Sequence, residues 1–251
     1  MPFITTSAGS SFREDMGFRM KVLGIDTSTH SGSVGLIDEG GIISEYLLNI
    51  PITHSERLLE TINHLLKEAH CPMEELGGWA ISLGPGSFTG LRIGVSTIKG
   101  LAYATQKPVA GVSSLDVLAS QISPSSYLIC PILNARKGEV YTAFYGYNET
   151  NFLQRQSDYM AMKPEGLVKH IKEKVIFVGD GAKTFGGYLR DSLSSLALFP
   201  DPSLHLPRGS TVARLGSELL RKGEPLDLKT FTPIYVRPSE AEIKWQEKHP
   251  I

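Results

Sequence analysis

The predicted elements of this chain occur twice in the same order, and this repeat limits the fold more than any other feature. The first copy has predicted strands at 22–26, 33–38 and 42–48, a helix from Thr53, a strand at 79–83 and a helix at 89–104. The second copy has predicted strands at 127–133, 139–145 and 152–159, a helix at 164–172, a strand at 175–178 and a helix at 183–193. Apolar periodicity and turn residues mark the elements. The repeat predicts an α/β protein built from two similar lobes.

This order is similar to that of the duplicated actin-like ATPase fold, also called ribonuclease H-like, and it predicts two mixed-sheet lobes flanked by helices. A strand at 108–112 completes the first copy, and Ser113 is placed to cap a short third helix. A last helix is predicted at 210–221, with Ser210 as its cap and Gly223 as its stop.

The domain bounds follow from this order. Residues 1–19 are rich in Ser, Thr and Gly and have no apolar segment, so we expect a disordered leader and no secretory signal. We expect an N-terminal lobe at 20–112 and a C-terminal lobe at 113–240, whose final segment can dock on the first lobe. A charged tail occupies 241–251.

Composition excludes several classes of protein. Of the 251 residues, 41% are hydrophobic and 20% are charged, and the net charge is −1. A chain with this balance lacks the excess of Lys and Arg that gripping nucleic acid along its own surface requires. No apolar run approaches the roughly 20 residues of a membrane span, so we expect a cytoplasmic protein without membrane contact. Cys71 and Cys130 are far apart and predict reduced thiols rather than a disulfide or a zinc site.

The stretch from Leu83 to Arg92 joins a predicted buried strand to a predicted helix through a Gly-Pro-Gly turn. Free N–H groups at a helix start can bind an anion, which makes Gly84, Gly86 and Ser87 candidates for such a contact. The alternative is a turn whose glycines meet backbone or packing demands without a ligand. The spacing fits neither a Walker A loop nor the dinucleotide fingerprint, whose third glycine would come one residue earlier.

Three further turns bear on nucleotide binding, because actin-like ATPases hold phosphate and magnesium at the first-hairpin turn of each half. The turn Asp26-Thr27-Ser28-Thr29 keeps the acid and hydroxyls, although Asp26 can equally cap its own turn. The turn at 134–138 lacks the acid, and Gly179-Asp180-Gly181 resembles a reduced adenosine-binding turn. These residues predict at most weak binding of ATP or ADP with Mg²⁺, without efficient hydrolysis.

Stretches distributed in order from Met20 to about residue 240 resemble the bacterial TsaB family, also called YeaZ. The matching stretches are 23–29, 54–59, 83–94, 100–102, 112–115, 134–141 and 233–237. Gly-Pro-Gly-Ser-Phe-Thr-Gly-Leu-Arg, within the third of them, is the most specific. The resemblance therefore covers almost the whole chain beyond the leader.

The resemblance implies a non-catalytic subunit of the complex that makes N6-threonylcarbamoyladenosine beside the anticodon of tRNA. It implies a heterodimer with the catalytic homologue TsaD, association with the ATPase TsaE through the complex, tRNA contact only through the complex, and self-pairing when the chain is alone. The metal motif H-x-x-x-H of the catalytic relatives is absent, since no two of the seven histidines are four residues apart. An actin-like ATPase or small-molecule kinase using Asp26 is the alternative, and a glycoprotease-like peptidase is a weaker one.

The resemblance also implies that pairing takes place through the helices of the first lobe. Gly90 and Gly94 are four residues apart on the second helix, with Ile98 on the same face and Leu101 next to it. Small residues at this spacing allow a second helix to approach closely, either a partner's helix or the first helix of the same chain. The candidate partner face is formed by Leu58, Ile62, Gly90, Gly94, Ile98 and Leu101.

Overall fold

The structure, a computed structural model, describes residues 20–49 and 54–237. The predicted leader, the capping box predicted at Thr53 and the tail at 241–251 lie outside these ranges. The first sheet has the order β3-β2-β1-β4-β5. Its strands are β1 (Lys21–Asp26), β2 (Gly32–Asp38), β3 (Gly41–Leu48), β4 (Leu76–Ser82) and β5 (Val109–Val112). The first three pair antiparallel, and β4 and β5 run parallel to β1.

The second sheet repeats this plan with the order β10-β7-β6-β11-β12. Its strands are β6 (Leu128–Asn134), β7 (Val140–Thr142), β8 (Tyr145–Tyr147), β9 (Leu153–Arg155), β10 (Met160–Met162), β11 (Val175–Val178) and β12 (Ala197–Leu198). The additional strand β8 pairs with β6, and β9 pairs with β8. The predicted duplicated α/β fold is therefore confirmed.

Six helices connect and cover the two sheets in the described part of the chain. They are α1 (His54–Glu68), α2 (Phe88–Thr105), α3 (Ser114–Ala119), α4 (Pro164–His170), α5 (Gly181–Leu193) and α6 (Gly209–Arg221). The apolar stripes of α1 and α2 meet the first sheet in one core, where Ile62, Trp79 and Ile98 are fully buried. A second core unites α4 and α5 with the second sheet around Phe177.

The predicted strands at 139–145 and 152–159 are each wrong in extent. The first covers β7 and only the first residue of β8, and the second contains β9 but ends before β10 begins at Met160. The break in the first lies at Phe144. Its N–H donates to Ser157 Oγ at 2.9 Å, and its carbonyl accepts the Gln156 N–H at 2.7 Å. These bonds turn the chain from β7, which pairs with the C-terminal half of β6, to β8, which pairs with the N-terminal half of β6.

Helix α6 follows the second sheet in sequence but packs on the first, against β1, β2, β4 and β5. The approach is so close that a Cβ on Gly35 of β2 would lie 2.2 Å from the backbone nitrogen of Ser210. A side chain there would need the helix to move, since the atom it meets belongs to the backbone. This contact requires glycine for a reason that single-strand periodicity does not reveal.

The predicted cap of α6 is wrong, because Ser210 lies inside the helix and Arg208 is the N-cap residue, without a side-chain cap bond. The helix start is bound instead by side chains of the first sheet. Glu45 Oε1 of β3 accepts the Ser210 N–H at 2.9 Å, and Ser33 Oγ of β2 accepts the Gly209 N–H at 2.8 Å. A carboxylate at the positive end of the helix dipole stabilises the docking of α6.

Candidate functional site

The acidic turn after β1 is folded around its own carboxylate. Asp26 is 1% exposed, and its Oδ1 accepts the N–H of Ser28 at 3.0 Å. The Ser28 hydroxyl lies 3.0 Å from both carboxylate oxygens. Further along the turn, Thr29 Oγ1 accepts the Ser31 N–H at 3.1 Å. Asp26 therefore caps its own turn.

The Gly-Pro-Gly turn packs directly onto this acidic turn. Ser87 donates its N–H to the Ser28 carbonyl at 2.6 Å, and a Cβ on Gly86 would lie 2.1 Å from the same oxygen. Ser87 Oγ also accepts the N–H of Gly90 and caps α2. The Ser87 N–H and the Cα of Gly86 therefore face protein backbone rather than an open anion site. At these two residues the packing interpretation of the turn accounts for the geometry.

Gly84 connects the turn to the start of α3. It has a φ of +105°, which favours glycine, and its carbonyl accepts the Ser114 N–H at 2.8 Å. Ser113 caps α3 as predicted, its Oγ accepting the Leu115 N–H. The Gly-Pro-Gly turn thus fixes three elements relative to one another: the acidic turn, α2 and α3.

The second hairpin turn, at residues 134–138, is bound by an acidic side chain from elsewhere in the chain. Asp180 Oδ1 accepts the N–H of Asn134 at 2.9 Å, and Asn134 Oδ1 accepts the N–H of Arg136 at 2.9 Å. Arg136 and Lys137 have φ values of +63° and +50°, a left-handed conformation that is strained for these residue types. The turn that lacks an acid in sequence therefore has one in space.

Asp180 lies in an unusual environment for a carboxylate. Burial raises its pKa above the ordinary value, while the bond from the Asn134 N–H and the proximity of His30 lower it in part. His30 immediately follows the acidic turn, and the bond from the Asn134 N–H to Asp180 joins the second turn to the third. Asp180 is the functional candidate that sequence reasoning missed, although its flanking residues Gly179 and Gly181 were named.

Gly179 and Gly181 hold the third turn against β6. A Cβ on Gly179 would lie 2.3 Å from the Ile132 carbonyl oxygen, and one on Gly181 would lie 2.8 Å from it. The Gly179 N–H donates to His205 Nδ1 at 3.1 Å, and burial lowers the pKa of His205. The described backbone groups at Gly179 are thus used within the chain.

The face predicted for a partner helix points inward. A Cβ on Gly94 would lie 2.4 Å from Thr27 Oγ1, and that hydroxyl donates to the Gly90 carbonyl at 2.8 Å. Ile98 and Ile62 are fully buried and Leu58 is 7% exposed. The expectation that these residues meet a partner is corrected by this burial, because the sheet and the acidic turn of the same chain already cover them. Leu101 is only partly buried at the edge of this core.

The outer face of the same two helices is open. Tyr103 of α2 is 73% exposed and Leu59 of α1 is 58% exposed. Gly100 precedes Tyr103 by three residues on α2, and a Cβ added there would have no atom within 4 Å. An exposed glycine inside a helix costs about 1 kcal/mol relative to alanine. Sequence spacing alone did not distinguish this face from the buried one.

The segment after α6 contacts the strand end and the helix on either side of the Gly-Pro-Gly turn. The Ile234 N–H donates to the Leu83 carbonyl at 2.7 Å, and the ring of Tyr235 lies 4.9 Å from that of Phe88. Arg237 binds the second hairpin turn, donating to the Ala135 carbonyl and to Glu139, each at 2.5 Å. One short segment therefore contacts both halves of the duplicated fold.

Residues 20–49 and 54–237 contain neither a metal-binding cluster nor a membrane-spanning helix. No group of three His, Cys, Asp or Glu side chains is arranged to hold a metal ion there. No helix in these ranges is long and apolar enough to cross a membrane. Cys71 and Cys130 are buried free thiols, and burial raises the pKa of Cys130 to about 12.

These observations define the class of protein: a duplicated α/β fold of the actin-like type, in which Asp180 joins the second and third turns. An activator of 2-hydroxyisocaproyl-CoA dehydratase from Clostridium difficile, solved with ADPNP, has this fold with a TM-score of 0.51 and 12% identity, covering 86% of this chain and 100% of that one. The family model described as TsaD, tRNA N6-adenosine threonylcarbamoyltransferase, matches residues 39–245.

More similar proteins narrow the class. The tRNA threonylcarbamoyladenosine biosynthesis protein TsaB of Bacillus subtilis strain 168 is 35% identical over 231 residues, which cover 91% of this chain and 99% of that protein. The structure of YeaZ from Pseudomonas aeruginosa matches with a TM-score of 0.71 and 28% identity, covering 86% of this chain and 99% of that one. The chain belongs to the TsaB family.

Proposed function

We propose that this chain is a non-catalytic partner and activator in the synthesis of threonylcarbamoyladenosine on tRNA, and that it pairs with a TsaD homologue. The names of its relatives support the pathway. The observation that carries the partner role is the open outer face of α1 and α2. There α2 keeps an exposed glycine, Gly100, three residues before the exposed Tyr103, and Leu59 of α1 is exposed as well.

The physical argument concerns the distance between two helices. Helix axes pack 8–10 Å apart depending on the side chains at the contact, so a glycine at the crossing permits the closest approach. Aromatic side chains are enriched at the cores of protein interfaces, which suits the exposed Tyr103. A partner of homologous fold would present the equivalent helices, and the pairing would be pseudo-symmetric. The TsaE homologue and tRNA then reach this chain through the complex.

The test is co-expression with the TsaD homologue of the same organism, using Gly100→Arg against the control Gly187→Arg. Gly187 of α5 is also an exposed helical glycine whose Cβ would meet no atom within 4 Å. Both variants should fold, since neither side chain enters the core. We expect Gly100→Arg to lose the heterodimer in size-exclusion chromatography and to lower threonylcarbamoyladenosine in tRNA hydrolysates, whereas Gly187→Arg retains both. Equal behaviour of the two variants would contradict the proposed face.

Nucleotide binding is a second, weaker activity, supported by the acidic turn and by the bond that joins the second and third turns. We propose that ATP or ADP with Mg²⁺ binds weakly near Asp26, Asp180 and His30, without efficient hydrolysis. Asp26 is engaged by Ser28, and the Gly-Pro-Gly turn closes the adjacent backbone, which leaves few groups to stabilise a transferring phosphoryl group. Calorimetric titration with ATP and Mg²⁺, followed by phosphate release, separates this proposal from the alternative of an actin-like ATPase or kinase, which requires rapid turnover by the isolated chain.

A further inference from the structure

Tyr235 is held at the edge of the outer helical face rather than in the core. Tyr235 is 44% exposed, and its ring packs beside that of Phe88. The guanidinium of Arg92 lies 3.9 Å from the centre of the Phe88 ring. Arg92 Nε donates to the Tyr235 hydroxyl at 3.4 Å. Three side chains from two distant parts of the chain thus form one cluster of rings and a guanidinium, the residue types enriched in interface hot spots.

This cluster continues the face that carries Gly100. Arg92, Ser96, Gly100 and Tyr103 are spaced i, i+4, i+8 and i+11 and therefore lie along one stripe of α2. Arg92 and Ser96 are exposed, as are Gly100 and Tyr103. Gly100 lies eight positions after Arg92, which corresponds to about 12 Å along the helix at 1.5 Å per residue.

An ordinary interface buries about 800 Å² on each partner, which corresponds to a disc about 16 Å in radius. A partner centred on Gly100 would therefore cover the Arg92 turn and reach Tyr235. The C-terminal segment is fixed in place before binding, since Ile234 bonds to the Leu83 carbonyl and Arg237 to the second hairpin turn. A pre-organised aromatic side chain loses little conformational freedom on binding.

We propose that Tyr235, with Phe88 and Arg92, forms part of the surface that binds the TsaD homologue, so that the C-terminal segment is an interface element and not only a closure of the fold. This inference rests on the proposed function. The expected occupant is the homologous partner chain, because the cluster is continuous with the face proposed for that partner.

The test compares Tyr235→Ala with Tyr188→Ala by calorimetric titration of the purified TsaD homologue. Tyr188 of α5 is a matched control, with 40% exposure on a different surface. We expect Tyr235→Ala to raise the dissociation constant about tenfold or more, which is the range of an interface hot spot. Tyr188→Ala should leave the dissociation constant unchanged. Tyr235→Phe, which retains the ring contact with Phe88, should bind within about threefold of the unsubstituted chain.

Hydrogen exchange of the unsubstituted chain makes the test independent of any folding defect. Peptides covering 233–237 should gain protection when the partner binds. Absence of this protection in a formed complex, or equal affinity of the two alanine variants, would overturn the inference. Protection present already in a homodimer and unchanged by the partner would also overturn it, because the occupant would then be a second copy. If the unsubstituted chain forms no complex, the proposed function itself fails.

Discussion

The Glu45 carboxylate contributes to the docking of α6 on the first sheet, and Glu45→Ala tests the size of this contribution. The Glu45 side chain is 8% exposed, and its oxygens accept bonds from the Ser210 N–H and from Nε and Nη2 of Arg208. A hydrogen bond to a charged group contributes about 1.5–3 kcal/mol, and a carboxylate at a helix start adds about 0.3–1 kcal/mol through the helix dipole. Loss of both effects should lower the free energy of unfolding by about 3 kcal/mol.

The assay is thermal unfolding followed by circular dichroism. For a chain of this size, about 3 kcal/mol corresponds to a fall in Tm of about 6–12 °C. Glu149→Ala, at an exposed turn position, serves as the control and should change stability by less than about 0.5 kcal/mol. Glu45→Gln should lie between the two, because the amide oxygen can still accept one bond without a charge. Equal Tm values for Glu45→Ala and Glu149→Ala would refute the reasoning.

Three further predictions concern the two helical glycines and the third turn. Gly94→Ala should lower Tm by forcing a Cβ against Thr27, whereas Gly100→Ala should raise the stability of the isolated chain by about 0.5–1 kcal/mol, both measured by thermal unfolding. Burial lowers the pKa of His205 from 6.5, so the unfolded state binds a proton more readily than the folded state. The folded state should therefore lose stability as the pH falls from about 6.5 towards the lower pKa that His205 has when folded. His205→Gln should flatten this pH dependence in denaturant titrations. Because burial raises the pKa of Asp180, its charged form opposes folding, so Asp180→Asn should raise Tm at pH 7, with the gain vanishing below about pH 3.8.

Local patterns were sufficient for the fold but not for its long-range contacts. Periodicity and turn residues identified the duplicated order because each strand or helix buries one face of its own. The cap of α6 lay beyond this reasoning, since Glu45 and Ser210 are separated by 165 positions and Ser210 alone has the usual composition of a cap. The broken strand at Phe144 was hidden for a similar reason, because Ser157 and Gln156 cause the break from outside the strand.

The candidate site was predicted in its parts but not in its connections. Asp26 and the three turns were identified from residue type, and the structure joins the second and third turns through Asp180. Asp180 carried one sequence signal, its position between two glycines after a buried strand. Tyr235 and Arg237 carried none beyond membership of a matching stretch, because their roles depend on contacts with Phe88 and Ala135, far away in sequence.

Gly94 and Gly100 show why the partner face could not be assigned from spacing. Both are glycines of α2, and both permit close approach of a neighbour. Gly94 meets Thr27 of its own chain, so its missing side chain is explained by the acidic turn. Gly100 meets nothing within 4 Å, so its cost to the helix has no compensation inside the described fold. Because Gly94 is buried against its own chain, we expect Gly100 and not Gly94 to be the position where a substitution disrupts pairing and leaves the fold intact.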